Sequence, residues 1–209
     1  MKSSGIGSKA RDIFNSIAER YDTEQQIRIA GIAAREMKKF ITDSNGRDAL
    51  DYGCGTGLIG LEMTDMFRSV LLVDSASNMI RIVKEKIADR KITNAVALCS
   101  DMLKQSANDK KVDYIFMSQV LLHIGDVDQV LRRMYELLNP NGHLLIVDFD
   151  KNEQVNSDQV HNGFDQQELK EYLLKIGFDD IESYNFYEGE NIFMKQDAVL
   201  FILNAIKLK

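Results

Sequence analysis

One stretch of this 209-residue chain concentrates its chemistry: Asp51-Tyr-Gly53-Cys-Gly55-Thr-Gly57-Leu-Ile-Gly60. Glycines set between a strand and a helix let the backbone take positive φ and bring a ligand close to the amides at the helix start. Gly55-Thr-Gly57-Leu-Ile-Gly60 satisfies the dinucleotide pattern G-x-G-x-x-G, and Asp74, 19 residues past Gly55, stands near the acidic residue that such a site uses on a ribose. Alone, that pattern suggests a nicotinamide dinucleotide. The three histidines, His123, His143 and His161, are the natural general bases. Cys54 sits inside the glycine loop, where a small, filling, unreactive side chain is a better reading than a nucleophile.

The elements that must position these residues follow from periodicity. Residues 9–21 place Ile13, Phe14, Ile17, Ala18 and Tyr21 at helical spacing, and 24–41 do the same with Ile27, Ala30, Ala34, Met37 and Ile41. After a loop at Asn45-Gly46, strands at 49–52, 69–74, 95–99 and 112–118 alternate with helices at 58–67 and 77–90. A helix at 126–138 is stopped by Asn139-Pro140-Asn141-Gly142, a strand follows at 143–149, and a helix at 165–176 ends on Gly177. Two last strands, 181–187 and 198–205, have no helix between them, so the final one pairs antiparallel or stands apart. Unbroken apolar strands between amphipathic helices predict an α/β fold: a doubly wound, mostly parallel seven-stranded sheet whose ligand site lies at the carboxyl ends of the strands. One domain over 1–209 is expected, with helices in 1–45 as a lid and a Rossmann-like core over 46–209.

Composition excludes other classes. The net charge is −6, and residues 150–190 carry Lys151, Lys170 and Lys175 against eleven acids. No basic stripe interrupts the chain, which disfavours a nucleic-acid partner. Two cysteines are too few for a disulfide framework or a zinc cluster, so no metal is expected. Apolar runs fall short of a membrane span, and residues 1–10 lack the apolar core of a signal peptide, so a cytoplasmic protein is expected.

The context of the glycines points away from a dinucleotide. Asp51-x-Gly53-x-Gly55-x-Gly57 resembles the first motif of the class I S-adenosylmethionine-dependent methyltransferases. Further resemblances follow in order: Val73-Asp74-Ser75-Ala76-Ser77-Asn78-Met79, Ser100-Asp101-Met102, Val112-Asp113-Tyr114-Ile115-Phe116 and Leu138 to Leu144. His161-Asn-Gly163-Phe164 with Lys175-Ile-Gly177-Phe178 resembles a signature of small bacterial members related to ubiquinone and menaquinone methyltransferases.

The resemblance implies S-adenosylmethionine as cofactor, with a set of Asp51, Gly53, Gly55, Gly57, Asp74, Ser75, Met79, Asp101, Met102, Gln119 and Tyr21. Asp74 accepts both ribose hydroxyls, Asp101 the adenine amino group, the Met102 amide donates to the ring, and Asp51 lies near the methionine amino group. His123 falls at the implied active-site mouth and His161 at a family position, which makes both catalytic candidates; His143 reads as structural. Phe14 and Tyr21 are aromatics able to enclose an apolar acceptor or face a sulfonium. Methyltransferases of adenine amino groups or glutamine amides usually carry Asn/Asp-Pro-Pro-Tyr where this chain has Ser118-Gln119-Val120-Leu121, which moves the acceptor toward small molecules. Oxygen, nitrogen, carbon or sulfur acceptors, and any oligomeric state, are compatible with the sequence. The alternatives are an NAD(P)-dependent oxidoreductase and a non-catalytic protein that binds the cofactor or a partner.

Overall fold

The computed structural model describes residues 9–101 and 110–209. Helix α1 (Ala10–Ile17) runs into a 3-10 turn over Ala18–Arg20, and α2 (Glu24–Lys38) starts at Thr23, whose hydroxyl accepts the Gln26 amide at 3.2 Å. A cap of this kind satisfies one donor that a helix start leaves over. Then come β1 (Asp48–Tyr52), β2 (Ser69–Asp74), α3 (Ser77–Asp89), β3 (Ala95–Cys99) and β4 (Val112–Ser118). They are followed by α4 (Val127–Leu137), β5 (Leu138–Phe149), α5 (Gln166–Ile176), β6 (Asp179–Phe193) and β7 (Gln196–Lys207).

The strands form one seven-stranded sheet in the order β3-β2-β1-β4-β5-β7-β6. Neighbours from β3 to β5 pair in parallel, and β7 runs antiparallel between β5 and β6. Every residue of β1 is buried, as is Leu144–Phe149 of β5, and strands covered on both faces read as continuous apolar runs. Because β1 pairs with β2 on one side and β4 on the other, strand order reverses between β1 and β4. Connections there leave in opposite directions, and a crevice opens at the carboxyl ends. This is the doubly wound α/β sheet that the alternation predicts.

Four local expectations need correction. Residues 58–67 form a 3-10 helix over Gly60–Met66 in place of an α-helix, because glycines weaken an α-helix and the Gly60 amide is taken by the Asp51 carboxylate. Asn139-Pro140-Asn141-Gly142 is a bulge inside β5: Leu138 pairs with Val112 and His143 with Tyr114, while the Asn139 side-chain amide donates to Asp113 at 2.8 Å. The last hairpin is longer than its apolar runs, since β6 and β7 turn through Met194 and Lys195, both at positive φ as in a type I′ turn. Finally, α2 is part of the main core through Ile29, Ala33, Ala34 and Met37, whereas Ala18 after α1 packs against Ala76 and Met79 at the start of α3. No helix among the described residues is long and apolar enough to cross a membrane.

At the amino end of the sheet, Asp48 is buried yet accepts two hydrogen bonds from Arg68 at 3.0 and 2.7 Å and one from Ser69 at 2.7 Å, with the Lys110 ammonium 2.7 Å away. The Arg68 bonds hold its carboxyl well below the usual carboxylate range, against the effect of burial. A depressed folded value contributes stability that is present above the unfolded value of 3.8 and is lost as pH falls below it. Asp48→Asn is expected to lower the urea midpoint at pH 7, with the gap to the parent closing as the pH is taken from about 4 toward 2.

Candidate active site

Two cavities meet at the carboxyl end of the sheet. The larger, about 690 Å³, runs from the ends of β2 and β3 past the glycine loop to the segment after β4. Small-molecule and cofactor sites have volumes of this order. The smaller, about 50 Å³, lies between α2 and the glycine loop. Tyr21, Gly53, Gly55, Ser118 and Gln119 line both.

The glycine loop is strung between two carboxylates. Asp51, near the end of β1, accepts the Gly60 amide at 2.9 Å; Asp74, the last residue of β2, accepts the Gly55 amide at 3.0 Å and the Ala76 amide at 2.8 Å. A Cβ at Gly60 would lie 2.5 Å from Asp51 Oδ2, and one at Gly53 (φ +72°) would lie 2.6 Å from Val120 Cγ2, so neither position admits a side chain. Burial pushes the Asp51 carboxyl up to about 7, and the Asp74 charge adds to that rise. Burial also raises Asp74, against the amide bonds it accepts. Two desolvated carboxylates holding one loop favour a ligand that brings positive charge.

The remaining candidates divide. Asp74, Ser75 and Asp101 border the larger cavity at the ends of β2 and β3, and Asp51 borders the smaller. His123 closes the 3-10 turn Leu121–His123 at the other end of the larger cavity, its ring edge-on to Phe14 of α1 with centroids 5.0 Å apart. Burial, followed by the neighbouring His161, lowers the His123 imidazole to about 4, so the ring is neutral at physiological pH. Burial pushes the Cys54 thiol well above its ordinary value, which leaves it a poor nucleophile.

Three candidates lie off the cavities. Gly57 turns the loop at φ +81°, its amide bonded to the Cys54 carbonyl at 2.8 Å. Met79 is fully buried beneath Ala18, because its place in the first turn of α3 faces the incoming α1. His161 lies behind the site: its Nε2 is 2.8 Å from the Ile124 carbonyl and its amide donates to the Leu122 carbonyl at 2.9 Å, so it braces the segment that carries His123. Met102 lies outside the described residues. His143 stacks on Tyr114 with centroids 4.8 Å apart and its Nδ1 is 2.9 Å from Asn204 Oδ1.

Sequence reasoning missed Tyr52, which borders the larger cavity. Strand alternation puts it on the face opposite Asp51, so the signal was there. It also missed Asp148, a buried carboxylate at the end of β5 that accepts the Leu122 amide at 3.3 Å and the Phe149 amide at 2.8 Å. With the Gln119 amide on the Val147 carbonyl at 2.7 Å, this end of β5 fixes the segment after β4. Those partners are about 26 residues apart in sequence, beyond any local pattern.

A doubly wound sheet with an antiparallel strand beside β5, and a glycine loop between acidic strand ends at the switch point, defines a class I S-adenosylmethionine-dependent methyltransferase. Residues 43–190 match the family described as a methyltransferase domain, and the chain belongs to that family. It is 30% identical over 196 residues to the ubiquinone/menaquinone biosynthesis C-methyltransferase UbiE of Serratia proteamaculans (strain 568), covering 89% of this chain and 76% of the relative. It is 27% identical over 201 residues to the UbiE of Pseudoalteromonas translucida (strain TAC 125), covering 91% and 78%.

Among solved structures, the N-methyltransferase NodS of Bradyrhizobium japonicum WM9, in complex with S-adenosyl-L-homocysteine, superposes with TM-score 0.74 at 13% identity, covering 95% of this chain and 98% of that one. Phosphoethanolamine N-methyltransferase 2 of Haemonchus contortus, in complex with S-adenosyl-L-methionine, gives TM-score 0.72 at 19% identity over 94% of this chain. The chain spans 60% of the length of that protein. The protein is thus an enzyme that uses S-adenosylmethionine to methylate a small-molecule acceptor, and the nicotinamide reading of Gly55 to Gly60 is set aside.

The raised Asp51 carboxyl has a consequence for stability. Between about 3.8 and 7 the unfolded chain ionises this group while the folded chain keeps it protonated, so it erodes stability as pH rises through that window. Asparagine does not titrate and retains an oxygen for the Gly60 amide. Asp51→Asn is expected to raise the ligand-free melting temperature at pH 8, by up to roughly 10 °C, with the gain shrinking toward pH 4, as followed by calorimetry.

Proposed function

We propose that S-adenosylmethionine lies along the carboxyl ends of β1, β2 and β3, and that its methyl group faces a small acceptor held between Phe14 and His123. The observation that carries this reading is one continuous cavity with Asp74, Ser75 and Asp101 at one end and Phe14, His123 and Ile124 at the other. The donor set suits the molecule: a carboxylate at a strand end can accept two vicinal hydroxyls, and a second one, buried and costly to ionise, gains most from a cationic neighbour. When bound, the cofactor supplies an electrophilic methyl group on a sulfonium.

In this reading Asp74 takes the ribose hydroxyls, Asp101 the adenine amino group, and Asp51 faces the methionine ammonium. Gly53 and Gly55 let the backbone approach, while Ser75, Gln119 and Tyr21 complete the wall. The Tyr21 hydroxyl, held up to about 12 mainly by burial, stays a donor. With its imidazole lowered to about 4, His123 is a weak base. Its role is to accept a hydrogen bond and orient the acceptor, which is where much of the rate of an in-line displacement originates. In this reading His161 touches the Ile124 carbonyl and positions the segment that carries His123, rather than meeting the acceptor itself.

The acceptor end is walled by Phe14, Val120 and Ile124, with Arg11, Gln129 and Asp126 at its rim, the Asp126 carboxylate accepting the Gln129 amide as the cap of α4. This suits an uncharged, largely apolar ring, in keeping with relatives that are named C-methyltransferases of ubiquinone and menaquinone biosynthesis. Within the single domain, α1 and the turn after it act as the cover, while α2 joins the core formed with 46–209. The acidic balance of residues 150–190 supports an enzyme without a nucleic-acid partner, and a cytoplasmic location belongs to the same reading.

Ligand-induced thermal shifts test the cofactor assignment. Saturating S-adenosylhomocysteine, at about 100 times its Kd, should add about 2.7 kcal/mol, or roughly 5–10 °C for a chain of this size. Asp74→Ala should abolish the shift, and NAD should produce none. A shift with NAD alone would overturn the assignment.

A further inference from the structure

Among the described residues, the segment after α1 and the glycine loop share a clasp that the reading above does not use. The Lys86 ammonium, on α3, donates to Asp22 Oδ2 at 2.6 Å and to the Thr56 carbonyl at 2.8 Å, and the Thr56 hydroxyl donates to Asp22 Oδ1 at 2.5 Å. Thr56 lies between Gly55 and Gly57 and is buried; Asp22 directly follows Tyr21. Lys86 therefore joins three segments of separate origin: the helix behind the loop, the loop itself and the cover.

Besides the Phe14 contact with His123, the cover makes contacts of a different kind. Asn15 accepts the Asn78 amide at 2.9 Å and, through its carbonyl, the Asn78 side chain at 3.0 Å; Glu19 pairs with Arg81; Ala18 packs on Ala76 and Met79. All of these dock the cover on α3, and none reaches the glycine loop. Tyr21 lies across that loop, and a Cβ on Gly55 would be 3.8 Å from its ring. The Tyr21 ring packs edge-on to Phe14, centroids 6.1 Å apart, and on the Ala18, Ala76 and Met79 cluster, while Asp22, held by Lys86 and Thr56, ties the same segment to the glycine loop.

We propose that Lys86 is a positioning residue for cofactor binding: through Asp22 and Thr56 it fastens Tyr21 to the glycine loop, so that cover and loop form one preorganised wall. The proposal rests on the cofactor assignment above. Removing the ammonium leaves α1 docked on α3 and the Thr56 hydroxyl on Asp22, but loosens the hold of Asp22, and with it Tyr21, on the loop, and the cost falls on ligand retention more than on folding. Charge-assisted hydrogen bonds of this kind set the scale.

Titration calorimetry and stopped-flow dissociation with S-adenosylhomocysteine test it without knowledge of the acceptor. Lys86→Met is expected to weaken binding about 10-fold, mostly through faster dissociation, while Lys86→Arg stays within about 3-fold of the parent. Thr56→Val should weaken binding in the same direction and Thr56→Ser should not, which keeps the test decisive if Lys86→Met fails to fold. Unchanged affinity and dissociation in Lys86→Met, or equal affinities in the two Thr56 variants, would overturn the proposal; a purely structural role predicts that outcome, with a lower melting temperature alone. Asp74→Ala is run alongside. If it binds as tightly as the parent, the cofactor assignment fails; if it loses binding while Lys86→Met does not, the clasp alone fails.

Discussion

The carboxyl end of this sheet depends on a buried carboxyl group. β1 delivers Asp51 into the interior, where the Gly60 amide at 2.9 Å lies against its carboxylate and burial pushes its titration up to about 7. Asp74, one strand over, holds the other end of the same loop by the Gly55 amide. The loop must pass close to both, so Gly60 cannot carry a side chain and its first helical turn tightens to a 3-10 form. A site built this way stores unfavourable electrostatics in the empty protein and releases them to a cationic ligand. The sulfonium and ammonium of S-adenosylmethionine meet that requirement.

The remainder of the fold supplies rigidity around this loop. The order reversal between β1 and β4 opens the crevice, and β7, inserted between β5 and β6, buries the strand whose end carries Asp148. Asp148 from below and His161 from behind fix the segment after β4, so that Gln119 and His123 face the cavity from a braced backbone. On the opposite wall α1 and the turn after it rest on α3, bringing Phe14 to His123 and Tyr21 to Gly55. The end of the cavity that carries Asp74 and Asp101 thus hangs on β2 and β3, and the end that carries His123 on the segment after β4.

Much of this was legible in the sequence because it is local. β2, β3 and β4 fall where their apolar runs do, and the Asp51 to Gly60 cluster marks the loop. Signals failed where a tertiary contact overrode a local preference. Asn139-Pro140-Asn141-Gly142 has the composition of a turn, yet Asp113 draws Asn139 into a bulge within β5. Met194-Lys195 carries no turn signature, yet the flanking strands impose positive φ on both residues. Met79 and His161 stand in motifs whose spacing fixes their place along the chain, while their facing is decided by α1 and by the segment after β4. The Lys86, Asp22 and Thr56 clasp spans 30 and 64 residues, so no periodicity announces it.

The most direct test is a crystal structure of the protein with S-adenosylhomocysteine. The account predicts both ribose hydroxyls within about 3.2 Å of the Asp74 carboxylate, the amino group on the Asp51 side of the glycine loop, and the sulfur facing the space between Phe14 and His123. A ribose away from Asp74, or a sulfur turned from Phe14 and His123, would contradict it.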